Sequence, residues 1–318
     1  MKLIIQIPCL NEEKTLPLVI RDLPKKIDGI SKIETLIIDD GSTDRTSHVA
    51  RELGVDHIIQ LASNHGLAHA FMVGLDTALK LGANIIVNTD GDNQYNGCDV
   101  PKLIKPILEN KAEIVVGDRE VEKIKHFSLT KIFLQKLGSW VVRQLSGTSI
   151  PDVTSGFRAY SKETAMQINI VSKFSYTIES IIMAGKKNIP ITHVAIRTNE
   201  KLRDSRLFKS TWGYLKNSIA TIVRIYAMYE PLKVFSYIGG TSFFLGFILG
   251  CRYLYFFIVE STAGHVQSLI LSAILIIVGF QIILIGLLAD LISINREYIE
   301  NSLHRIKKSK LDLKEEFR

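Results

Sequence analysis

Hydrophobic residues in the first two thirds of the chain form short, β-branched runs separated by stretches with helical periodicity. The predicted strands are Leu3–Ile7, Thr35–Ile38, Ile85–Asn88 and Ile114–Val116, and the predicted helices are Glu12–Leu23, Thr43–Leu53, Ala68–Leu81 and Val100–Glu109. This alternation of strand and helix predicts an α/β domain with a mostly parallel sheet.

After Lys233 the pattern changes to two long apolar runs, Val234–Val259 and Val266–Ala289. The second run has no charged residue, and the first has only Arg252. Each exceeds the roughly 20 residues that a helix needs to cross a bilayer core. The alternative is a pair of buried core helices, but soluble folds rarely contain apolar runs of this length. We therefore expect two transmembrane helices joined by a short hairpin turn, Glu260–His265.

Charge is distributed unevenly around these spans. The chain has 318 residues and a formal net charge of +7. Residues 201–233 contain seven Lys or Arg against two Asp or Glu, and the segment after Ala289 contains seven more Lys or Arg, whereas the hairpin turn contains none. The positive-inside rule then predicts a multi-pass protein of the cell membrane whose large domain and two termini are cytoplasmic. The position of the basic excess indicates membrane lipids, and not nucleic acid, as the anionic partner.

Two further segments have an apolar face at helical spacing. Trp212–Tyr229 places Lys216 and Arg224 beside its apolar face, which is typical of a helix that lies on a membrane surface. Lys131–Leu145 has a similar pattern, and for it an interfacial helix and an ordinary amphipathic core helix are equally supported. The expected parts of the chain are a large domain (1–210), an interfacial helix (211–233), two spans within 234–291 and a basic tail (292–318).

Polar clusters follow three of the predicted strands. They are Pro8–Glu13, Asp39–Asp44 and Thr89–Gln94. Any one of them alone is explained better by a turn or a helix cap than by a binding site, and we expect Ser42 or Thr43 to cap the helix that follows. Three in succession at strand ends favour a binding crevice, because ligands of open α/β sheets bind beyond the carboxyl ends of the strands.

The third cluster contains the pattern Asp90-Gly91-Asp92. Two carboxylates one residue apart can both reach a divalent cation, and Gly91 would let the backbone turn tightly between them. Gln94 adds a neutral oxygen ligand. Mg²⁺ or Mn²⁺ keeps positions open for phosphate oxygens, so the pattern predicts a metal site that receives a nucleoside diphosphate.

The ordered set of motifs resembles family 2 glycosyltransferases, and the trailing spans make the chain similar to the polyprenyl-phosphate glycosyltransferases. The motifs that carry the resemblance are Ile7–Glu13, Ile38–Asp44, Asn64-His65-Gly66, Asp90-Gly91-Asp92 and Ser155-Gly156-Phe157-Arg158. The resemblance implies a Rossmann-like GT-A catalytic domain, inverting transfer of a hexose or N-acetylhexosamine from a nucleotide-sugar to a polyprenyl phosphate, and a divalent metal. Such products serve cell-envelope glycosylation.

The resemblance also implies roles for individual residues. On the nucleotide-sugar side it implies Pro8, Asn11, Glu13, Asp39, Asp40, Asn64, Gly66, Asp90, Gly91, Arg203 and Arg206. It implies catalytic roles for Asp92, in the metal and diphosphate group, and for Asp152, Arg119 and Arg158 on the acceptor side. Of these, Arg119 and Arg158 are placed to contact the lipid phosphate. The alternative for Arg158 is an ion pair with Asp152 that braces the loop.

Several alternatives stay open at this stage. A UDP-sugar is favoured as donor, and GDP-mannose is compatible with a similar scaffold. The chain could form a homo-oligomer. A processive or protein-directed family 2 enzyme is disfavoured because the Gln-x-x-Arg-Trp segment and additional spans are missing from the sequence, and an inactive membrane scaffold is disfavoured by the intact Asp40, Asp90 and Asp92.

The charge asymmetry makes a prediction about topology. In a variant without the native cysteines, Ser261→Cys should react with an impermeant thiol reagent added to intact cells, because the hairpin turn is expected outside. Ser309→Cys, in the basic tail, should react only after the cells are lysed. The reverse labelling pattern would mean that the orientation is inverted.

Overall fold

The computed structural model describes residues 1–120, 129–170, 176–199, 220, 223–224, 226–260 and 266–316. The chain divides into two compact units, Met1–Ile222 with Leu303–Arg318 and Val223–Ser302. Most of the predicted interfacial helix Trp212–Tyr229 lies outside the described residues. The division of the chain into catalytic domain, interfacial helix, spans and tail therefore stays a prediction.

Among the described residues, the first unit contains seven strands, seven complete α-helices, a short 3-10 helix (Gly97–Asp99) and the end of a long helix that starts in the second unit. The strands are β1 Lys2–Cys9, β2 Lys32–Asp39, β3 His57–Gln60, β4 Ile85–Asn88, β5 Ile114–Asp118, β6 Arg158–Ser161 and β7 Ile191–Ala195. The helices are α1 Leu16–Asp22, α2 Thr46–Glu52, α3 Leu67–Lys80, α4 Val100–Leu108, α5 Leu129–Ser146, α6 Lys162–Gln167 and α7 Tyr176–Lys186.

All seven strands form one sheet with the order β3-β2-β1-β4-β6-β5-β7. Strand β1 pairs in parallel with β2 and with β4, whereas β6 is antiparallel to both of its neighbours. The chain therefore proceeds from β1 to β2 and β3 on one side, and then crosses to β4 on the other side of β1. The carboxyl ends of β1 and β4 lie at this change of direction, which is where open α/β sheets form their binding crevice.

Strand β1 is the centre of the hydrophobic core. Leu3, Ile4, Ile5 and Ile7 have no exposed surface, so both faces of the strand are covered. A near-continuous apolar run is what a parallel strand with helices on both faces requires. The four strands predicted from the sequence are all present. The three that were not predicted are short and less apolar, and β7 is only partly buried.

One expected helix cap is wrong. Helix α2 begins at Thr46, so neither Ser42 nor Thr43 is its cap. Ser42 instead accepts a hydrogen bond from the Asn11 backbone N–H at 2.8 Å. The Thr46 backbone N–H donates to the carboxylate of Asp44 at 2.9 Å. The Ser42 hydroxyl therefore joins the loop after β1 to the loop after β2, and it does not cap α2.

Helix α5 covers the segment for which two roles were equally supported. Ser139, Val142 and Ser146 are buried on one face, and α5 contacts α7. Leu137 and Trp140 are exposed elsewhere on the helix. This helix is amphipathic as expected, and its location at a membrane surface stays a prediction.

The second unit is built from two long helices, Pro231–Glu260 and the first part of Val266–Glu316. By length and composition both helices could cross a membrane, and large apolar side chains are exposed along both. The second helix continues for more than 20 residues beyond the predicted span, so the described part of the basic tail is helical.

Small residues bring these two helices together. A Cβ added at Gly239 would lie 2.6 Å from the carbonyl oxygen of Gly279, and one added at Gly279 would lie 2.7 Å from the carbonyl oxygen of Gly239. The Ser272 hydroxyl donates to the carbonyl of Gly246 at 2.6 Å. Close backbone approach and hydroxyl hydrogen bonds of this kind hold helices together where no hydrophobic effect is available.

A buried carboxylate ties together the amino-terminal ends of β1, β2 and β3. Glu34 is 4% exposed, and its oxygens lie 2.7 Å from Lys2 Nζ and 2.6 Å from Lys32 Nζ. His57 Nε2 lies 2.8 Å from the same carboxylate. Burial by itself raises the pKa of Glu34, but the hydrogen bonds from these three partners outweigh it and lower the pKa to about 2.

This shift predicts how stability depends on pH. Because the pKa is lower in the folded state, the ionised form stabilises the fold above about pH 4.5, and that contribution disappears as the pH falls toward about 2. Glu34→Gln should lower the apparent melting temperature of the detergent-solubilised protein by several degrees at pH 7, and the difference from wild type should shrink below pH 4.5. A difference that is the same at pH 7 and pH 3 would contradict the assignment.

Candidate active site

The loops after β1 and β2 are joined through Asn11. Its side-chain oxygen accepts hydrogen bonds from the backbone N–H groups of Thr43 and Asp44, at 2.8 and 3.3 Å. Asn11 has a φ of 55°, a left-handed conformation that asparagine tolerates better than most residues. Glu13 makes a parallel link, accepting from the backbone N–H of Arg45 at 3.1 Å. Both predicted nucleoside-pocket residues therefore shape the crevice by holding two loops in register.

Asp39 and Asp40 are buried, with 1% and 3% of their surface exposed. The two oxygens of Asp40 accept from the backbone N–H groups of His65 and Gly66, at 2.9 and 2.8 Å. Asp39 accepts from the Ser42 backbone N–H and from the Ser47 hydroxyl. Both carboxylates are thus engaged by the protein itself, and their predicted role on the nucleotide-sugar side stays a prediction.

The loop held by Asp40 contains two further predicted residues, Asn64 and Gly66. Gly66 has a φ of 94°, which only glycine adopts without strain, and Asn64 accepts from its backbone N–H at 2.9 Å. Gly41 lies against the same loop, because an added Cβ would be 2.5 Å from the carbonyl carbon of Ser63. The wall of the crevice is thus made of closely packed backbone, with Asn64 exposed on it.

The acidic pair follows β4 directly, as predicted. A Cβ added at Gly91 would lie 2.9 Å from Cys9 Sγ, so this glycine permits close approach to the loop after β1. Gly91 and Asp92 lie in a turn, and the residue that follows them, Asn93, is left-handed with a φ of 60°. Gln94 donates from Nε2 to the carboxylate of Asp92 at 2.8 Å.

Asp90 lies in an unfavourable electrostatic position. Burial first, and then the neighbouring charge of Asp92, raise its pKa to about 7. Its Oδ1 is buried without a hydrogen-bond partner. Within the described residues, no group of three or more His, Cys, Asp and Glu could hold a metal ion. Two carboxylates with an amide are nevertheless a fitting donor set for Mg²⁺ or Mn²⁺, because such ions fill their coordination with phosphate oxygens and water.

A set of residues that the sequence did not reveal surrounds Asp90. A Cβ added at Gly156 would lie 2.8 Å from Asp90 Oδ2 and 2.8 Å from the Tyr176 hydroxyl. Asn88 donates to the carbonyl of Gly156 at 2.8 Å and to the Tyr176 hydroxyl at 3.0 Å. The Tyr95 hydroxyl accepts from the Gly156 backbone N–H at 2.8 Å. The only sequence signal for this network is the glycine in Ser155-Gly156-Phe157-Arg158.

Arg119 follows β5 and forms a bidentate ion pair with Asp152. Its Nε and Nη2 lie 2.6 and 2.9 Å from the two carboxylate oxygens, and Nη2 also donates to Thr154 at 2.7 Å. Burial by itself would raise the pKa of Asp152, but the guanidinium outweighs burial and keeps that pKa below its usual value. Arg119 is 12% exposed in its side chain and Asp152 only 1%, so the arginine is the member of the pair nearer to solvent.

Arg158 has a different environment from the one expected. It has no exposed surface, and it donates to the backbone carbonyls of Val153, Ser155 and Thr177, each at 2.8 Å. The expected alternative, an ion pair with Asp152, is wrong, because Asp152 is paired with Arg119. A phosphate contact from Arg158 would require these buried hydrogen bonds to break, so we assign Arg158 to bracing residues 152–158.

The remaining predicted residues are divided between the crevice and the part of the chain that is not described. Pro8 is buried in β1, and its carbonyl oxygen would lie 3.5 Å from a Cβ on Gly91. Arg203 and Arg206 lie outside the described residues. Thr15 was not predicted as a site residue. Its hydroxyl donates a hydrogen bond to the carbonyl of Gly91 at 2.7 Å and so helps to hold the acidic turn.

An acidic turn at the switch point of an α/β sheet is typical of the enzymes that bind a nucleoside diphosphate through a divalent cation. Residues 4–168 match the model described as Glycosyl transferase family 2, and residues 230–294 match the one described as GtrB C-terminal hairpin. The first match covers more than half of the chain. The chain therefore belongs to glycosyl transferase family 2, and it is a glycosyltransferase.

Two curated relatives match this chain over most of their own length. The chain is 32% identical over 215 residues to the UDP-N-acetylglucosamine–dolichyl-phosphate N-acetylglucosaminyltransferase of Methanococcus voltae, covering 60% of this chain and 83% of that protein. It is 27% identical over 250 residues to the undecaprenyl-phosphate mannosyltransferase of Micrococcus luteus, covering 73% and 98%. The names of both relatives include a polyprenyl phosphate, whereas the sugar is N-acetylglucosamine in the first and mannose in the second.

A solved structure has the same fold. Glucosyl-3-phosphoglycerate synthase from Mycobacterium tuberculosis, in complex with Mn²⁺, UDP-glucose and phosphoglyceric acid, superposes with a TM-score of 0.57 at 20% identity. The match covers 71% of this chain and 80% of that chain. At this identity the likeness concerns the fold alone, and it confirms the expected GT-A architecture.

The packing around Gly156 generates a prediction. Gly156→Ala should push the Asp90 carboxylate out of place, because its Cβ would meet both Asp90 and Tyr176 at 2.8 Å. We expect kcat/KM to fall about 10- to 100-fold, as for changes that move a metal ligand through its neighbours. The control is Gly138→Ala in α5, where an added Cβ has no heavy atom within 4 Å among the described residues. Equal activities of the two variants would contradict the packing argument.

Proposed function

We propose that this chain transfers a sugar from a nucleotide-sugar to a polyprenyl phosphate at the cytoplasmic face of a membrane. The observation that carries the proposal is the presence, in one chain, of an acidic donor site and an apolar helical hairpin of the GtrB type. A lipid acceptor must keep its hydrocarbon chain in the bilayer while its phosphate reaches the sugar, and a membrane-anchored transferase meets that requirement.

The donor side is formed by the acidic turn. Asp90, Asp92 and Gln94 would hold Mg²⁺ or Mn²⁺, and Asp90 offers a buried oxygen that lacks a partner. When bound, such a cation neutralises charge on the departing diphosphate. The turn fixes where the diphosphate lies, and the loop held by Asp40 forms the wall beside the nucleoside. A UDP-sugar is the favoured donor, supported by the donor named for the relative from Methanococcus voltae.

The acceptor side is formed by Arg119. Asp152 engages its Nε and Nη2, which fixes the plane of the guanidinium. Among the described residues, Nη1 is the nitrogen that these bonds leave for a ligand. The planar fork of arginine suits a phosphate better than the point charge of lysine does. Asp152 is thus a positioning residue, and Arg119 is the residue that contacts the lipid phosphate.

The reaction requires little proton transfer. A phosphate monoester is already largely ionised at about pH 7, so its oxygen is a nucleophile without a strong general base. That oxygen forms a bond to the anomeric carbon, the bond from this carbon to the donor's β-phosphate oxygen breaks, and the nucleoside diphosphate leaves with the bonding electrons. Attack opposite to the leaving group inverts the anomeric configuration. The contribution of the protein is alignment and charge.

The test is a transfer assay on the purified full-length chain. Labelled UDP-N-acetylglucosamine, UDP-glucose and GDP-mannose are supplied in turn with undecaprenyl or dolichyl phosphate, and labelled, acid-labile lipid is extracted. We expect one donor to give product in a metal-dependent manner. Absence of lipid product with every pair, from protein that binds nucleotide, would overturn the proposed acceptor class.

Asp92→Asn should reduce transfer at least about 100-fold while the protein stays folded, because several kcal/mol of charge stabilisation depend on this ligand. Asp28→Asn, which changes an exposed carboxylate in the loop after α1, is the matched control and should behave as wild type. Near-normal turnover by the Asp92 variant, or full activity of wild type in excess chelator, would defeat the metal assignment.

A further inference from the structure

A short segment after β7 runs beside the residues that follow the acidic turn. The Asn199 backbone N–H donates to the carbonyl of Gln94 at 2.9 Å, and the Asn96 backbone N–H donates to the carbonyl of Arg197 at 3.3 Å. Tyr95 and Thr198 face each other in this antiparallel pairing. The backbone that carries Gln94 is therefore held by a partner strand that is distant in sequence.

The carboxylate of Asp99 fastens this pairing. It has no exposed surface, and it accepts from the Arg197 backbone N–H at 2.7 Å and from Arg197 Nη2 at 2.9 Å. Asp99 occupies the N-cap position of α4, yet its side chain makes no cap hydrogen bond. The Asp99 carboxylate thus accepts hydrogen bonds from Arg197 and does not cap α4. Burial by itself would raise the pKa of Asp99, but the hydrogen bonds from Arg197 outweigh it and keep that pKa low.

The pairing reaches the acidic turn through Asn199. Its side-chain Nδ2 lies 3.4 Å from the side-chain oxygen of Asn93 and 3.4 Å from the carbonyl of Tyr95. Asn93 is the left-handed residue between Asp92 and Gln94, so its conformation decides how these two side chains are presented. A left-handed non-glycine residue persists only where its surroundings support it. Asn199 supplies part of that support.

We propose that Asp99, acting through Arg197 and Asn199, is a positioning residue that sets the geometry, and hence the cation affinity, of Asp92 and Gln94. None of the three touches the acidic pair directly in the described contacts, and their effect passes through the paired backbone and Asn93. The inference rests on the proposed function, because it takes Asp92 and Gln94 as ligands of a divalent cation.

Mn²⁺ binding to the full-length chain in detergent tests the inference without reference to turnover. The free Mn²⁺ signal is followed by electron paramagnetic resonance during titration, with UDP and with GDP. Asp99→Asn should weaken Mn²⁺ binding about 10-fold or more, as changes behind metal ligands commonly do. Arg197→Lys, which keeps the charge but loses the bidentate geometry, should show a smaller loss in the same direction.

The matched control is Lys102→Gln. Lys102 Nζ lies 2.9 Å from the same carboxylate, but it approaches from α4 and has no link to the pairing with residues 93–96 among the described contacts. It should bind Mn²⁺ as wild type does. Glu34→Gln serves as a second control, since it removes a buried ionised carboxylate at the opposite end of the sheet and should lower stability without changing Mn²⁺ affinity.

If Asp99→Asn does not fold, Asn199→Ala replaces it, because this change removes the contacts to Asn93 and Tyr95 without unpairing a buried charge. A wild-type affinity for Mn²⁺ in the folded Asp99 or Asn199 variant would overturn the positioning role. The proposed function fails separately: wild-type protein that shows no Mn²⁺ binding, together with an active Asp92→Asn variant, would remove the metal site and this inference with it.

Discussion

The carboxylate of Asp90 is buried beside that of Asp92, and two negative charges in a region of low dielectric raise each other's energy. Burial and the charge of Asp92 together raise the pKa of Asp90 to about 7. Asn88 directs its amide to Gly156 and Tyr176 instead of this carboxylate, so the charges of Arg119 and Arg158 offset only part of the rise in pKa. The fold thus maintains an acidic pair that a divalent cation would stabilise.

Two arginines near this pair have different uses, although the sequence presents them alike. Arg158 is buried, and its guanidinium donates hydrogen bonds to the backbone carbonyls of Val153, Ser155 and Thr177. Arg119 is held at the edge by Asp152, and its charge also lowers the energy of the ionised Asp90. An arginine that is half engaged by the protein is oriented before a ligand arrives, which reduces the entropy lost on binding.

Acidic residues in the first two loops are likewise devoted to architecture. Asp39 and Asp40 bind backbone N–H groups and a hydroxyl, which connects the loops after β2 and β3. Asn11 joins the loop after β1 to the same wall. Because carboxylates accept such bonds strongly, the wall is rigid where the nucleoside is expected. The names of the relatives show that the family includes proteins that act with different sugars.

The sequence by itself determined the alternation of strands and helices, the acidic turn after β4 and the two apolar helices, because each of these is a local pattern of hydrophobicity or of residue type. It also determined the family, since the motifs occur in a fixed order. It did not reveal β6 inserted antiparallel between β4 and β5, because strand order depends on contacts between distant segments.

Only the tertiary structure decided the partners of the charged residues. Asp152 pairs with Arg119 and not with Arg158, and Asp99 joins Arg197 across 98 positions in the sequence. The same reason explains why Gly156 was seen only as part of a motif, although its missing side chain makes room for Asp90. Hydrogen-bond partners are selected by distance in space, and burial decides which polar groups must find one.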